Sequence, residues 1–177
     1  MGSISQKDVQ GYFLRGAAGV TTTDQGRALE DLVCDLFESI PGIEVTERNV
    51  VNPFRTEEID VAFWNNQPRR GLWFLPTTLL VECKNWNRPV GTAEVAYFVR
   101  KLQNRGLDLG FLVATRGVTG SAVELTDAHF EIASALGDGV RVVVLDRDEI
   151  ESLAHSDQLV RLVKRKLCML AVQGTSS

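Results

Sequence analysis

Apolar positions recur along this chain with two periods, one after the other. In "TTTDQGRALEDLVCDLFESI", Leu29, Leu32, Val33, Leu36, Phe37 and Ile40 stand three or four apart behind a start rich in capping residues, which predicts an amphipathic helix. Pro41-Gly42 stops it and leads into a strand over roughly 44–51. In "EEIDVAFWN" the period drops to two, with Ile59, Val61 and Phe63 on one face and Glu58, Asp60 and Ala62 on the other. "NNQPRRG" is a loop or hairpin connection, and "TTLLVECKNW" is the next strand. "RPVGTAEVAYFVRKLQNRG" gives a break and then a helix ending near Gly106. "LGFLVATRG" begins as an unbroken apolar run, the mark of a parallel strand buried on both faces. A helix through "SAVELTDAHFEIASALG", a strand "VRVVVLD" and one or two closing helices follow. The last of these turns Leu159, Leu162, Val163, Leu167 and Leu170 inward and Arg161, Lys164 and Arg165 outward. Lys166 falls on its apolar side, so its ammonium is expected to reach back to water.

The order α-β-β-β-α-β-α-β-α predicts an α/β fold. The early strands form a meander, and the later ones join it through right-handed helical crossovers, which makes an αβα sandwich with a mixed central β-sheet. One domain is expected over 24–170, with an N-terminal segment over 1–23 and a flexible tail over 171–177. No apolar run reaches the ~18 residues of a membrane span, and the N-terminus lacks the layout of a signal peptide. These features point to a cytoplasmic protein with no membrane partner. Cys34, Cys83 and Cys168 read as buried free thiols of a reducing compartment. The absence of any CxxC or His/Cys cluster speaks against zinc.

The net charge of −4 argues mildly against nucleic acid, but it is unevenly spread. Residues 24–47 alone carry −6, which leaves +2 and several basic clusters for the rest. A basic face is therefore compatible with an acidic chain.

The chemistry lies in "LLVECKNW". On a strand, Glu82 and Lys84 share a face opposite Val81 and Cys83. Alone, such a pair is more often a surface ion pair than a site. Asp60 on the preceding strand changes the weighing, because pairing of the two strands would bring Asp60, Glu82 and Lys84 together. Two carboxylates, with the Cys83 carbonyl as a further ligand, suit a hard cation such as Mg²⁺. A lysine beside it can orient water or stabilise phosphate charge.

The ordered set "GRALEDLV", "EEIDVAF", "LLVECKNW", "VGTAEVAYFVRKL", "GFLVATRGVTGSA" and "VVVLDRDEIESL" resembles the PD-(D/E)XK nuclease superfamily, and within it the Mrr-type restriction endonuclease branch. The resemblance runs from Gly26 to about Leu153. It departs from many members at "RTEE", where they carry glycines before the aspartate. The resemblance implies that Asp60 and Glu82 hold Mg²⁺, with Mn²⁺ as a substitute, that Lys84 assists the nucleophile, and that Glu30 approaches the site from the first helix. It implies a metal-dependent endodeoxyribonuclease in restriction or anti-phage defence, with DNA as partner. A junction-resolving or repair nuclease of the same fold and a non-cutting nucleic-acid-binding module stay open as alternatives. So do a homodimer and a targeting partner or fused domain. If the site is a carboxylate cluster, Glu82→Ala is expected to hold or raise stability by relieving repulsion.

Other residues near these motifs have plainer readings. Arg88, Arg100 and Lys101 read as a solvated face rather than a phosphate track, Gln103 as exposed or packing, and Trp86 as packing over a strand end. Thr115, Thr119 and Ser121 fit capping as well as phosphate binding. His129 and His155 carry no assigned chemistry.

Overall fold

The computed structural model describes residues 2–51 and 57–176; Arg55 and Thr56 of "RTEE" lie outside them. In chain order the elements are α1 (Gln6–Ala18), α2 (Thr22–Glu38), β1 (Ile43–Val51), β2 (Glu58–Asn65), β3 (Thr78–Lys84), α3 (Thr92–Gln103), β4 (Leu109–Ala114), α4 (Asp127–Gly137), β5 (Arg141–Leu145), α5 (Arg147–Glu151) and α6 (Ser156–Gln173). The strands lie side by side in sequence order. β1, β2 and β3 form an antiparallel meander, and β3, β4 and β5 run parallel. The mixed sheet expected from the sequence is present.

The two faces of the sheet are set by the period-two pattern. Phe63 pairs with Leu79, and Val81 with Phe111, so these side chains share one face with Cys83. Phe37 of α2 covers that face, stacked on Phe63 at 5.0 Å and edge-on to Phe111 at 5.1 Å. On the other face Ala62, Leu80, Gly110, Glu82 and Leu112 are in register. Here α3 lies very close: a Cβ on Gly110 would come within 2.7 Å of Phe98 and 2.8 Å of Leu102. α3 packs beside α4, which completes the third layer. Among the described residues no helix is long and apolar enough to cross a membrane.

Several expectations change. The segment before Thr21 contains a full helix, α1, capped by Ser5 and docked through buried Val9 and Phe13 against α2. α4 begins at Asp127 rather than near Ser121; Leu125 and Asp127 both take a positive φ of 51°, so no right-handed helix runs through them from Ser121. The expected flexible tail over 171–177 is instead structured as far as it is described. α6 continues to Gln173, Gly174 ends it in the left-handed region, and Thr175 and Ser176 are buried. The Ser176 hydroxyl accepts from the Val144 N–H at 2.9 Å and donates to the Val142 carbonyl at 3.1 Å, on the edge of β5 away from β4. Lys166 does not reach water: it is buried and donates to Glu149 and to the Ser176 carbonyl, each at 2.7 Å. The ion pair and hydrogen bond offset the cost of its desolvation. Cys34 and Cys83 are buried as expected, but Cys168 is exposed on α6.

Candidate active site

β2 stays paired with β1 down to Glu58 but leaves β3 after the Val61–Val81 pair. The sheet forks there. One step beyond the last pair, the same register sets Asp60 opposite Glu82 on the α3 face. In place of a ladder bond, Asp60 Oδ2 accepts the Cys83 N–H at 2.7 Å. The fork opens into a cavity of about 660 Å³ whose walls include Asp60, Glu82, Lys84, Trp86, Tyr97 and Lys101. On the β4 side the end of β3 is held by Thr115, whose N–H donates to the Lys84 carbonyl at 3.1 Å. The Thr115 hydroxyl reaches the Lys84 and Trp86 carbonyls at 3.3 and 3.2 Å, so its role here is to brace the loop.

Glu82 is only 5% exposed, and each of its oxygens meets a lysine. Lys84 donates to Oε1 at 2.7 Å and Lys101 to Oε2 at 2.6 Å. Lys101 is as buried as Glu82 and also donates to the Glu58 carbonyl at 2.6 Å. Burial acts to lower the pKa of Lys84, but the charge and hydrogen bond of Glu82, with Asp60 behind it, outweigh that and hold it above the ordinary lysine value. Asp60 behaves differently. Burial first, and then the Glu82 charge across the fork, push it up from 3.8 to about 6. Burial and the neighbouring Asp60 also push the Cys83 thiol well up, so Cys83 can offer its backbone to the site but not a thiolate.

This arrangement argues against the expectation that removing Glu82 holds or raises stability. Glu82 faces the Asp60 charge, but it is also the counter-ion of two lysines, and its loss would leave Lys101 buried without its anion. The carboxylate that burial disfavours is Asp60.

Three of the four sequence-selected side chains, Asp60, Glu82 and Lys84, share the cavity. Glu30 does not line it. α2 covers the Cys83 face, so Glu30 is held there by Asn49 at 2.8 Å, with Arg48 at 3.7 Å. Gln103 is exposed at the end of α3, and Arg100 is exposed beside it. Trp86 is partly buried against the core, with the Arg88 guanidinium 4.4 Å from its ring centroid and the Lys84 ammonium at 5.5 Å. Asn85 is tied to the Gln25 carbonyl at 2.8 Å.

Lys101 is the residue that sequence reasoning missed by grouping it with solvated Arg100. A signal existed: Lys101 lies three residues after buried Phe98 and beside buried Leu102, at the margin of the apolar stripe.

The donor set fits a hard divalent cation. Asp60 Oδ1 has no hydrogen-bond partner among the described residues, and the half-buried side chain lines the cavity. An extended residue sends its N–H and C=O to the same edge, so the Cys83 carbonyl faces the fork along with its N–H. Among the described residues no three His, Cys, Asp or Glu side chains gather as a metal-holding group. The candidate ligands are therefore two carboxylates and a backbone oxygen, a set suited to Mg²⁺ or Mn²⁺ rather than to a softer ion.

The same stretch of chain was compared with known proteins. No curated protein matches it. Residues 23–154, which run from the start of α2 past α5 and include the whole sheet, match the family Mrr_cat, described as restriction endonuclease. That match takes in the forked meander, the parallel strands and the Asp60–Glu82–Lys84 cluster together, and the chain belongs to the Mrr_cat restriction endonuclease family.

Proposed function

We propose that this protein is a metal-dependent endodeoxyribonuclease that hydrolyses DNA phosphodiester bonds with Mg²⁺, or with Mn²⁺ in its place. The observation that carries this reading is the fork itself, which sets Asp60 and Glu82 on facing strands, with the Lys84 ammonium on Glu82 Oε1 and all three side chains lining the cavity. Asp60 Oδ1, Glu82 and the Cys83 carbonyl would hold the cation. Bound there, the cation would supply Lewis acidity to the phosphate and lower the pKa of a water. Lys84, kept protonated by Glu82, orients that water or takes up charge developing on the phosphate. Trp86, stacked beneath Arg88, forms a firm wall at the mouth. Glu30 has no part in this assignment, because Asn49 and Arg48 engage its carboxylate on the other face.

The family match and the resemblance of the motifs support restriction or anti-phage defence as the setting. A second copy of the chain, a targeting partner or a fused domain would supply selectivity. One observation favours a second reading, a module that binds nucleic acid without cutting it: both Glu82 oxygens are already engaged by lysines.

Digestion of linear, supercoiled, branched and methylated DNA, and of RNA, with and without Mg²⁺ separates the two. The nuclease reading expects DNA cleavage that stops in excess EDTA and returns with Mg²⁺. Cleavage undiminished in EDTA would sink the metal-dependent mechanism. DNA binding without cleavage under any divalent ion would establish the module.

A further inference from the structure

We propose that Lys101 is a positioning residue of the site, which fixes the Glu82 carboxylate and sets how strongly the fork takes up a divalent cation. The proposal rests on the functional reading above. Its basis is geometric. Lys101 comes from α3, a different element from the strands that carry Asp60, Glu82 and Lys84, and its ammonium ties α3 to both of those strands. It donates to Glu82 Oε2 on β3 at 2.6 Å and to the Glu58 carbonyl on β2 at 2.6 Å, while its own backbone lies on α3. The bond to Glu58 spans the fork at the level where β2 has left β3. Close approach of α3, which Gly110 permits, delivers the ammonium there.

The consequence for charge is direct. Asp60, Glu82, Lys84 and Lys101 together carry no net formal charge. A buried ammonium on one oxygen of a metal-binding carboxylate opposes the cation electrostatically and, at the same time, prevents that carboxylate from turning. The site gives up cation affinity for a fixed geometry.

The test uses the full chain with Lys101→Met, which removes the charge, Lys101→Gln, which removes it but keeps a donor, and Lys101→Arg, which keeps it. Mn²⁺ binding without DNA is read from the electron paramagnetic resonance of unbound ion, and single-turnover DNA cleavage is read at saturating Mn²⁺. Lys101→Met and Lys101→Gln should bind Mn²⁺ about fivefold or more tightly and cut about tenfold or more slowly. Lys101→Arg should bind within about twofold of the wild type. Unchanged or weaker Mn²⁺ binding in folded Met and Gln variants would overturn the proposal.

A wild-type measurement covers the case in which neither variant folds. The Lys101 Nζ resonance should move as Mg²⁺ saturates the site, and a resonance left in place would equally overturn the role. Glu82→Gln separates the two levels of the argument. If it leaves Mn²⁺ binding untouched, the metal lies elsewhere and the functional reading fails. If it removes binding while the Lys101 variants behave as wild type, only the role of Lys101 fails.

Discussion

Replacing Glu82 by alanine takes the anion away from two lysines at once, and one of them, Lys101, is almost wholly enclosed. Removing one partner of a buried pair costs about 3–5 kcal/mol, so Glu82→Ala should lose cleavage and also unfold at markedly lower urea. Asp60→Asn should separate these effects. Its amide oxygen can still accept the Cys83 N–H, but the buried anion is gone. Cleavage should vanish while stability at pH 8 in chelator rises. The sign follows from linkage. The folded-state pKa of Asp60, about 6, lies above its ordinary 3.8, so the folded protein holds that proton longer than the unfolded chain does. Its contribution is present below about pH 4 and is lost as pH rises through 6, by up to about 3 kcal/mol for two units of displacement. Urea midpoints at pH 4 and pH 7 in EDTA, compared between the wild type and Asp60→Asn, should show this fall in the wild type alone. Equal slopes in the two proteins would contradict the burial argument.

At the scale of elements, each end of the described chain is tied to the fold by contacts of its own. α1 lies outside α2, with Phe13 buried under the Arg147 guanidinium, which stands 4.5 Å from its ring centroid. At the other end, Ser176 satisfies the N–H of Val144 and the carbonyl of Val142, and Lys166 holds the Ser176 backbone. Among the described residues the Ser176 hydroxyl is the acceptor that the Val144 N–H meets on that edge. Ser176→Ala should therefore cost about 1–3 kcal/mol, and amide hydrogen exchange should show faster exchange at Val144 without change in β2 or β3. Unaltered protection at Val144 would mean that the hydroxyl contributes nothing there.

For the molecule as a whole, the Asp60–Glu82–Lys84 cluster occupies the forked end of β2 and β3, and the family match ends at residue 154, before α6. Reading bases in a groove takes several side chains projected from a helix, finger or ribbon. The outward side of α6 offers Arg161, paired with Asp157 at 2.6 Å, Lys164, over the Phe74 ring at 5.0 Å, and Arg165. Such a surface suits phosphates, which carry no sequence information. The isolated chain should cut DNA with little sequence preference and lose binding steeply as salt rises. Mapping cleavage ends on a long DNA at several salt concentrations checks both points. A single sharp recognition motif from the isolated chain would show that base readout is built into it.

The sequence by itself determined which side chains share a face. Period two in β2 and β3 put Asp60, Glu82 and Lys84 opposite the apolar positions, and period near 3.6 gave α2 and α3 their inner stripes. Those relations are local, because backbone geometry repeats within each element. Tertiary structure alone decided which faces meet. It placed Glu30 under Cys83 rather than beside Glu82, and it buried Lys166 against Glu149 and drew Ser176 onto β5. It also carried Lys101 across the fork to Glu82, because α3 can settle onto β4 only where Gly110 leaves room. A charged residue at the margin of a helix stripe reads as solvated until its burial finds a partner, and that partner lies 19 residues away in the chain.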